Sequence, residues 1–229
     1  MKEMDILFEV INGAHAWRME HSQSDLDIFR CYLADYEDIL IGKTPKNSFY
    51  VDFTMIEGRN VDIQTSEIGT TIQQLIKNNL NYIVNVNSQI IRVDNGGVLA
   101  KLRDFSRRGL SKELYGSFHG MAIHNYNKYI RDFDDVKKIP EHRLNKIARV
   151  LALGIRLLNG EPIELRQYSG ATVITIETMI RDLDTSLQES KLPAQCPIEE
   201  EMLDYLVTLR LNDIINQEEG YYSSPSPHR

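Results

Sequence analysis

The chain has 229 residues, 42% of them hydrophobic, and a formal net charge of −7 at pH 7. This length and composition suffice for one large or two small domains with a buried core. The negative charge argues against a protein that coats nucleic acid through its overall field, and the apolar runs are far shorter than the roughly 20 residues that span a bilayer, so a cytoplasmic protein is expected.

The first half of the chain predicts a small mixed sheet flanked by helices. Alternating apolar residues between turn-forming residues predict strands over 6–11, 26–33, 48–56 and 60–64, with a short helix over 14–19 after the first strand. A longer helix is predicted over 67–79, with Thr65 or Ser66 as its N-cap and an apolar stripe that packs against the sheet.

The second half changes to helical periodicity. Segments separated by Gly, Pro and Ser or Asn predict helices over 98–107, 112–133, 141–159, 169–190 and 198–217. The fold class expected is therefore α+β, with an α/β domain over 1–95, a helical domain over 96–217 and a disordered tail over 218–229.

Two aspartates open the second predicted strand. Alternate side chains of a strand share a face, so Asp25 and Asp27 point the same way. Hard divalent ions such as Mg²⁺ are commonly held by one or two carboxylates together with substrate phosphates, and the pair therefore indicates a metal–nucleotide site. The alternative is solvated charge on an exposed edge strand, because Asp-x-Asp often occurs by chance.

A glycine turn precedes this pair. The apolar segment 6–11 is followed closely by Gly13, whose missing side chain allows a tight turn and lets backbone N–H groups approach a phosphate. An anion cradle therefore precedes the candidate metal ligands.

The arrangement resembles a known family. Gly13 followed by a small residue, a short helix and loop, and then Ser24-Asp25-Leu26-Asp27 is similar to the signature of the DNA polymerase β-type nucleotidyltransferase superfamily. With the following residues, 28–32, it resembles the branch of stand-alone and RNA-ligase-associated nucleotidyltransferases, and weaker likeness extends over 61–68, 75–79, 157–161 and 190–193.

The resemblance implies a fold and an activity. The fold would be a nucleotidyltransferase-like domain whose nucleotide cleft is completed by a helical domain. The activity would be transfer of a nucleoside monophosphate from an NTP to a hydroxyl of RNA, protein or a small molecule, with Mg²⁺ or Mn²⁺ in a two-metal mechanism. An RNA end is one candidate acceptor, and an RNA ligase or another protein is a candidate partner.

A two-metal mechanism needs a third carboxylate. Asp62 matches the position that the resemblance implies, because it lies in an apolar–acid–apolar strand segment. Asp52 is the rival, since it has the same kind of surroundings and would be costly to bury without a cation or a donor.

For the triphosphate, the resemblance implies contacts from the glycine turn and from cations of the helical half. The predicted contacts are Gly13, Ala14, Arg18 and Ser24 near the turn, and Ser117, Asn125 and Lys128 on one polar stripe of the helix over 112–133. Lys146 and Arg149 are further anion-contact candidates, for which an ordinary surface role is favoured.

One residue departs from the family pattern. The family usually has a serine after the glycine, where its hydroxyl touches a terminal phosphate oxygen, whereas this chain has Ala14. A relative that binds nucleotide or a partner with little or no transferase activity is therefore the alternative function.

A basic cluster is the last candidate from the sequence. Lys101, Arg103, Arg107, Arg108 and Lys112 lie within one short stretch that could receive a triphosphate or an RNA end. A solvated helix face is the favoured interpretation of such a run.

Overall fold

The computed structural model describes residues 5–20, 24–43, 48–56, 59–133 and 136–223 and has an α+β architecture, as predicted. The elements in chain order are β1 (Asp5–Ile11), α1 (Gly13–Ala16), β2 (Leu26–Leu33), α2 (Tyr36–Leu40), β3 (Ser48–Ile56), β4 (Arg59–Glu67), α3 (Ile68–Ile76), α4 (Leu80–Asn87), β5 (Ile91–Asp94), α5 (Val98–Arg108), α6 (Leu114–Asp132), a 3₁₀ turn (Val136–Lys138), α7 (Glu141–Leu158), α8 (Val173–Glu189) and α9 (Glu199–Ser223).

The strands form one mixed sheet in the order β3-β4-β2-β1-β5. β2 and β4 run parallel, and the other neighbouring strands run antiparallel. Helices cover the face on which Phe8 and Phe29 lie, because Phe29 meets Tyr82 of α4 edge-on at 5.8 Å between ring centroids. This buried face fixes the register of the strands, since a slip by one residue would turn the apolar side chains toward water.

The helices of the second half pack closely on one another. Gly154 of α7 shows how closely, because a Cβ there would lie 2.8 Å from Cδ1 of Phe118 on α6 and 3.0 Å from Cδ1 of Leu183 on α8. The buried core runs without interruption from the sheet into these helices. The domain boundary expected at 95/96 therefore stays a prediction.

The predicted cap of α3 is wrong. β4 continues to Glu67, and the Glu67 carboxylate caps α3 by accepting from the backbone N–H of Gly69 at 2.6 Å. Ser66 instead faces the buried side of the sheet, where its hydroxyl interacts with those of Thr71 and Tyr82. Arg210 of α9 pairs with Glu67 at 2.8 Å, so the same carboxylate joins α9 to α3.

Besides the 3₁₀ turn, three short elements were not predicted from the sequence: α2, α4 and β5. α4 follows α3 almost directly because Asn78 turns the chain with a φ of 52°. The buried Asn78 side chain donates to carbonyl groups of Leu75, Ile76 and Gly109 and accepts from the N–H of Ser111, which makes it a structural residue. The helices α2 and α4, with five and eight residues, have too few turns to reveal the helical period, and β5 has only four residues.

The ends of several helices differ from prediction. α1 ends at Ala16 rather than 19, and α8 begins at Val173 behind a Thr172 capping box rather than at 169. α9 continues to Ser223, past its predicted end at 217, and the rest of the predicted disordered tail, 224–229, lies outside the described residues. No helix in the described part of the chain combines the length and the apolar character needed to cross a membrane.

The basic cluster contributes to internal contacts. Lys101 and Arg108 of α5 both bind Glu201 of α9, and Arg103 donates to backbone carbonyl groups of Val86 and Ser88. Arg107 pairs with Asp104 at 3.7 Å, so four of the five side chains have partners within the chain, which favours the structural interpretation of the cluster. Glu201 thereby joins α9 to α5.

This ion-pair network predicts an acid-sensitive contact. Hydrogen bonds from Arg108, and then from Lys101, lower the pKa of Glu201 to about 2. The contact therefore stabilises the fold fully above the ordinary pKa of 4.5 and less as the pH falls toward about 2. Urea unfolding across this range should show Glu201→Gln losing less free energy of unfolding than the wild type. The exposed neighbour Glu200, changed to Gln, is the matched control and should follow the wild type.

Candidate active site

Three aspartates lie at the start of the central parallel strands. Asp25 directly precedes β2, and Asp27 is its second residue. The parallel register places Asp27 opposite Asp62 of β4. By alternation Asp27 shares a face with Phe29 and Cys31, which is the face that the helices cover.

The carboxylates act on one another electrostatically. Burial raises the pKa of Asp27 above its ordinary value, and the charges of Asp62 and Asp25 raise it further. His15 of α1 and Lys146 of α7 act in the opposite direction. The site is therefore a group of mutually repelling acids whose charge a cation would neutralise.

The glycine turn directly contacts Asp27. The N–H of Asn12 donates to the Asp27 carbonyl at 2.7 Å, which joins the end of β1 to the start of β2. Gly13 has a φ of +58°, and a Cβ at this position would lie 1.7 Å from Oδ2 of Asp27. Only glycine therefore allows the turn to approach the carboxylate so closely.

Side chains from α4 and the loop after it hold this turn. The Asn12 amide donates to the Asn85 side chain, and the Ser88 hydroxyl donates to the Ile11 carbonyl. Both partners are buried residues. The position of the turn is therefore set by α4, an element that the sequence did not reveal.

The donor set suits a hard divalent ion, because Asp25, Asp27 and Asp62 offer carboxylate oxygens in a mutually repelling group. Within the described residues, however, no set of three or more acidic, histidine or cysteine side chains converges as a metal-binding cluster. The three aspartates therefore have the donor chemistry that a divalent ion prefers, but their side chains do not converge on one point in this structure.

The rival third carboxylate belongs to β3. In the antiparallel pairing of β3 with β4, Val51 lies opposite Asp62, and Asp52 lies opposite Val61. Asp62 is therefore the residue whose backbone is in register with Asp27. The choice of Asp62 over Asp52 stays a prediction, supported by this register.

The predicted polar stripe lies on α6. The Ser117 hydroxyl accepts from the N–H of Leu80 at 2.8 Å and so helps to start α4, while the Asn125 amide donates to the Met121 carbonyl at 3.0 Å. Lys128, farther along α6, is exposed. Nucleotide contacts from Ser117, Asn125 and Lys128 remain predictions, and the hydrogen bond to Leu80 gives Ser117 a structural role as well.

The remaining predicted residues surround the turn. Ala14 follows Gly13 in α1, and Arg18 is exposed in the bend after it, with a φ of 55°. Ser24 is buried directly before Asp25. All three residues lie close in sequence to the turn and the acid pair. Their phosphate contacts remain predictions.

Two residues near Asp27 affect its charge in a way that the sequence did not reveal. His15 and Lys146 lie close enough to Asp27 to lower its pKa. A histidine two residues after the turn glycine forms no motif of its own, and Lys146 is an exposed residue of a long helix. Their proximity to Asp27 depends on how α1 and α7 pack against the sheet, which no local pattern encodes.

Arg149 differs from the ordinary surface cation that the sequence favours. It is partly buried, its Cζ lies 4.8 Å from the ring centroid of Trp17, and burial lowers its pKa to about 10. It also lines a cavity of about 160 Å³, here called the Gly13 cavity, whose walls include Asn12, Gly13 and Met121. α7 thus brings a cation to the glycine turn.

The chain was compared with solved structures, curated proteins and protein-family models. A nucleotidyltransferase-like protein from Exiguobacterium sibiricum is similar in structure, with 12% sequence identity, a TM-score of 0.35, and coverage of 82% of this chain and 70% of that chain. No curated protein matches the chain significantly in sequence. The family model RlaP, described as the RNA repair pathway DNA polymerase beta family, matches residues 1–151, a span that includes the three aspartates and Arg149. The chain therefore belongs to the RNA repair pathway DNA polymerase beta family.

Proposed function

We propose that this protein is a metal-dependent nucleotidyltransferase that moves a nucleoside monophosphate from an NTP to a hydroxyl acceptor. Family membership supports a nucleotidyltransferase-like function in general. The observation that carries the specific proposal is the contact geometry of Asp27, which lies opposite Asp62 in the sheet and directly against the Gly13 turn. A metal-binding carboxylate next to an open backbone turn is what a metal-bound triphosphate requires.

The roles of the residues follow from their chemistry. Asp25, Asp27 and Asp62 would hold Mg²⁺ or Mn²⁺, which when bound supplies Lewis-acid neutralisation of the phosphates and lowers the pKa of an attacking hydroxyl. The backbone at Gly13 and Ala14 would hold phosphate oxygens without a side-chain hydroxyl. Lys146, which acts on Asp27 across the site, would add positive charge near the leaving group.

The acceptor that we propose is an RNA end. The family is described by an RNA repair pathway, and this description supports RNA over a protein or a small molecule as the acceptor. An RNA ligase is the corresponding partner class. The net charge of −7 makes recognition of an end more reasonable than binding along a whole strand.

A second candidate function rests on Ala14. Without a serine at this position the turn lacks one phosphate donor, and a protein that binds nucleotide without transferring it would keep the same fold. The two candidates share nucleotide binding and differ in turnover.

Calorimetric titration with Mg²⁺ and NTP tests the proposal. Saturable, Mg²⁺-dependent binding is expected for the wild type and should be lost in the double variant Asp25→Asn/Asp27→Asn, because the carboxylates carry the metal. The matched control is Glu37→Gln/Asp38→Asn on the exposed α2, which removes the same number of charges away from the site.

The outcome separates the candidates. Retained Mg²⁺–NTP binding in the aspartate double variant would refute the proposed site. Labelled NTP incubated with pooled RNA distinguishes turnover from binding, since covalent nucleotidylation of RNA supports the transferase and binding without any labelled product supports the non-catalytic alternative.

A further inference from the structure

Arg149 is a partly buried cation that contacts no carboxylate among the described residues. Its guanidinium lies over Trp17, its Nη1 approaches Sδ of Met19 at 3.2 Å, and its buried Nε has no hydrogen-bond partner within the described part of the chain. Burial lowers the pKa of Arg149, and the charge of Tyr129 acts against this. A desolvated charge without a counter-charge is costly, so it indicates a binding site for an anion.

Two cavities meet at this arginine. The Gly13 cavity and a second cavity of about 180 Å³, here called the Tyr168 cavity, share Trp17 and Arg149 in their walls. The Tyr168 cavity is otherwise lined by α7 and the loop after it, including Arg156, Glu164, Arg166 and Tyr168. Arg149 therefore stands between the candidate nucleotide site and a separate cavity.

The other two arginines of the Tyr168 cavity already have partners. Arg156 binds Glu161 at 2.8 Å and two backbone carbonyl groups, and Arg166 binds Glu164. Of the cations among the described residues that line this cavity, Arg149 is therefore the one without an internal counter-charge. An anion entering the cavity would therefore pair with Arg149.

We propose that the Tyr168 cavity binds the terminal phosphate of an RNA acceptor and that Arg149 is the residue that pairs with it. This inference rests on the proposed function: the hydroxyl that accepts the nucleotide would belong to an RNA end that also carries a phosphate. Arg149 also lines the Gly13 cavity. A phosphate that pairs with Arg149 in the Tyr168 cavity would therefore keep the RNA end beside the nucleotide site.

One observation favours RNA over a phosphorylated protein. Tyr168 is partly exposed in the same wall and offers a ring on which a base can stack, a contact that a phosphopeptide does not need. The protein is acidic overall, so RNA must be recognised by a local cation and a stacking surface rather than by the general field.

The experiment uses Trp17, the single tryptophan of the chain, as the reporter. Metal-free protein is titrated with short RNA oligonucleotides of one sequence that carry a 5′-phosphate, a 3′-phosphate or two hydroxyl ends, and with a phosphoserine peptide. A phosphate that pairs with Arg149 changes the surroundings of the Trp17 ring and therefore its fluorescence. One of the two phosphorylated RNAs should bind about tenfold more tightly than the hydroxyl RNA, the scale of a charge-assisted hydrogen bond.

Four variants, one of them a control, test the roles of Arg149 and Tyr168. Arg149→Met should erase the preference for phosphate, and Arg149→Lys should retain only part of it because a lysine cannot bind phosphate bidentately. Arg143→Met is the matched control, since Arg143 lies on the same helix over the rings of Tyr129 and Phe133 but lines neither cavity. Tyr168→Leu should weaken all RNA binding while keeping the preference for phosphate.

Several outcomes would overturn the inference. Equal binding of phosphorylated and hydroxyl RNA, an unchanged preference in Arg149→Met, or tighter binding of the phosphopeptide than of any RNA would each refute it. Loss of RNA binding in Asp25→Asn/Asp27→Asn would place the phosphate in the nucleotide site and also refute it. If that double variant loses only Mg²⁺–NTP binding, both proposals stand. If NTP binding is absent from the wild type while phosphorylated RNA still binds through Arg149, the proposed function fails and the phosphate site remains.

Discussion

Asp27→Asn should reduce nucleotide transfer on the order of 10³-fold, the scale on which a single electrostatic contact in a transition state acts. The same change should leave the free energy of unfolding unchanged or higher at pH 7. Burial and the charges of Asp62 and Asp25 raise the pKa of Asp27 in the folded protein, so its ionised form is disfavoured there. An asparagine of the same shape removes that repulsion.

The sign of the pH dependence follows from the raised pKa. Below the ordinary pKa of 3.8, Asp27 is protonated in both states and costs nothing, and stability is lost as the pH rises through the higher folded pKa. Urea unfolding in the presence of a chelator should therefore show wild type and Asp27→Asn converging at acid pH and diverging toward pH 7. Asp38→Asn on exposed α2 is the control. A variant that is both inactive and strongly destabilised at pH 7 would contradict this explanation.

Gly13→Ala should lower turnover on the order of 10²-fold, because a carboxylate displaced by about an ångström loses its productive position. Its Cβ would lie 1.7 Å from Oδ2 and 3.0 Å from Cβ of Asp27, so the side chain has to move. The φ of +58° adds about 1–2 kcal/mol of backbone strain for any residue with a Cβ. Steady-state turnover and urea unfolding measure the two effects.

Gly42→Ala separates strain from displacement. Gly42 has a φ of +72°, and apart from its chain neighbours no atom of the described residues lies within 4 Å of the point that an alanine Cβ would occupy, so alanine there meets the same backbone strain without a described collision. It should lose a similar free energy of unfolding and keep full turnover. Equal turnover in Gly13→Ala and Gly42→Ala would show that the turn does not hold Asp27.

Local pattern accounts for much of the fold. Alternation of apolar residues predicted β1 to β4, and helical periodicity predicted α3 and α5 to α9, because both patterns span enough residues to reveal their period. The short elements α2, α4 and β5 were not predicted, because each spans too few residues to show its period clearly. The resemblance to polymerase β-type nucleotidyltransferases is confirmed by the family match over residues 1–151.

The cap of α3 illustrates where local reasoning fails. Thr65 and Ser66 are good N-cap residues by type, but the strand continues through both, and Glu67 caps the helix while pairing with Arg210 from the far end of the chain. A partner more than a hundred residues away decides which residue ends the strand. Sequence windows of one element cannot contain that information.

The sequence by itself determined that Asp25 and Asp27 follow closely after a glycine turn with one residue between them, since both properties are read from neighbouring residues. That their side chains share a face stays a prediction, because β2 begins at Leu26, after Asp25. Only the tertiary structure decided that Asp62 lies opposite Asp27, that Gly13 touches the Asp27 carboxylate, and that Arg149 is buried against Trp17. These three facts depend on strand pairing and helix packing between distant segments, where burial and register are set by the whole core rather than by any local period.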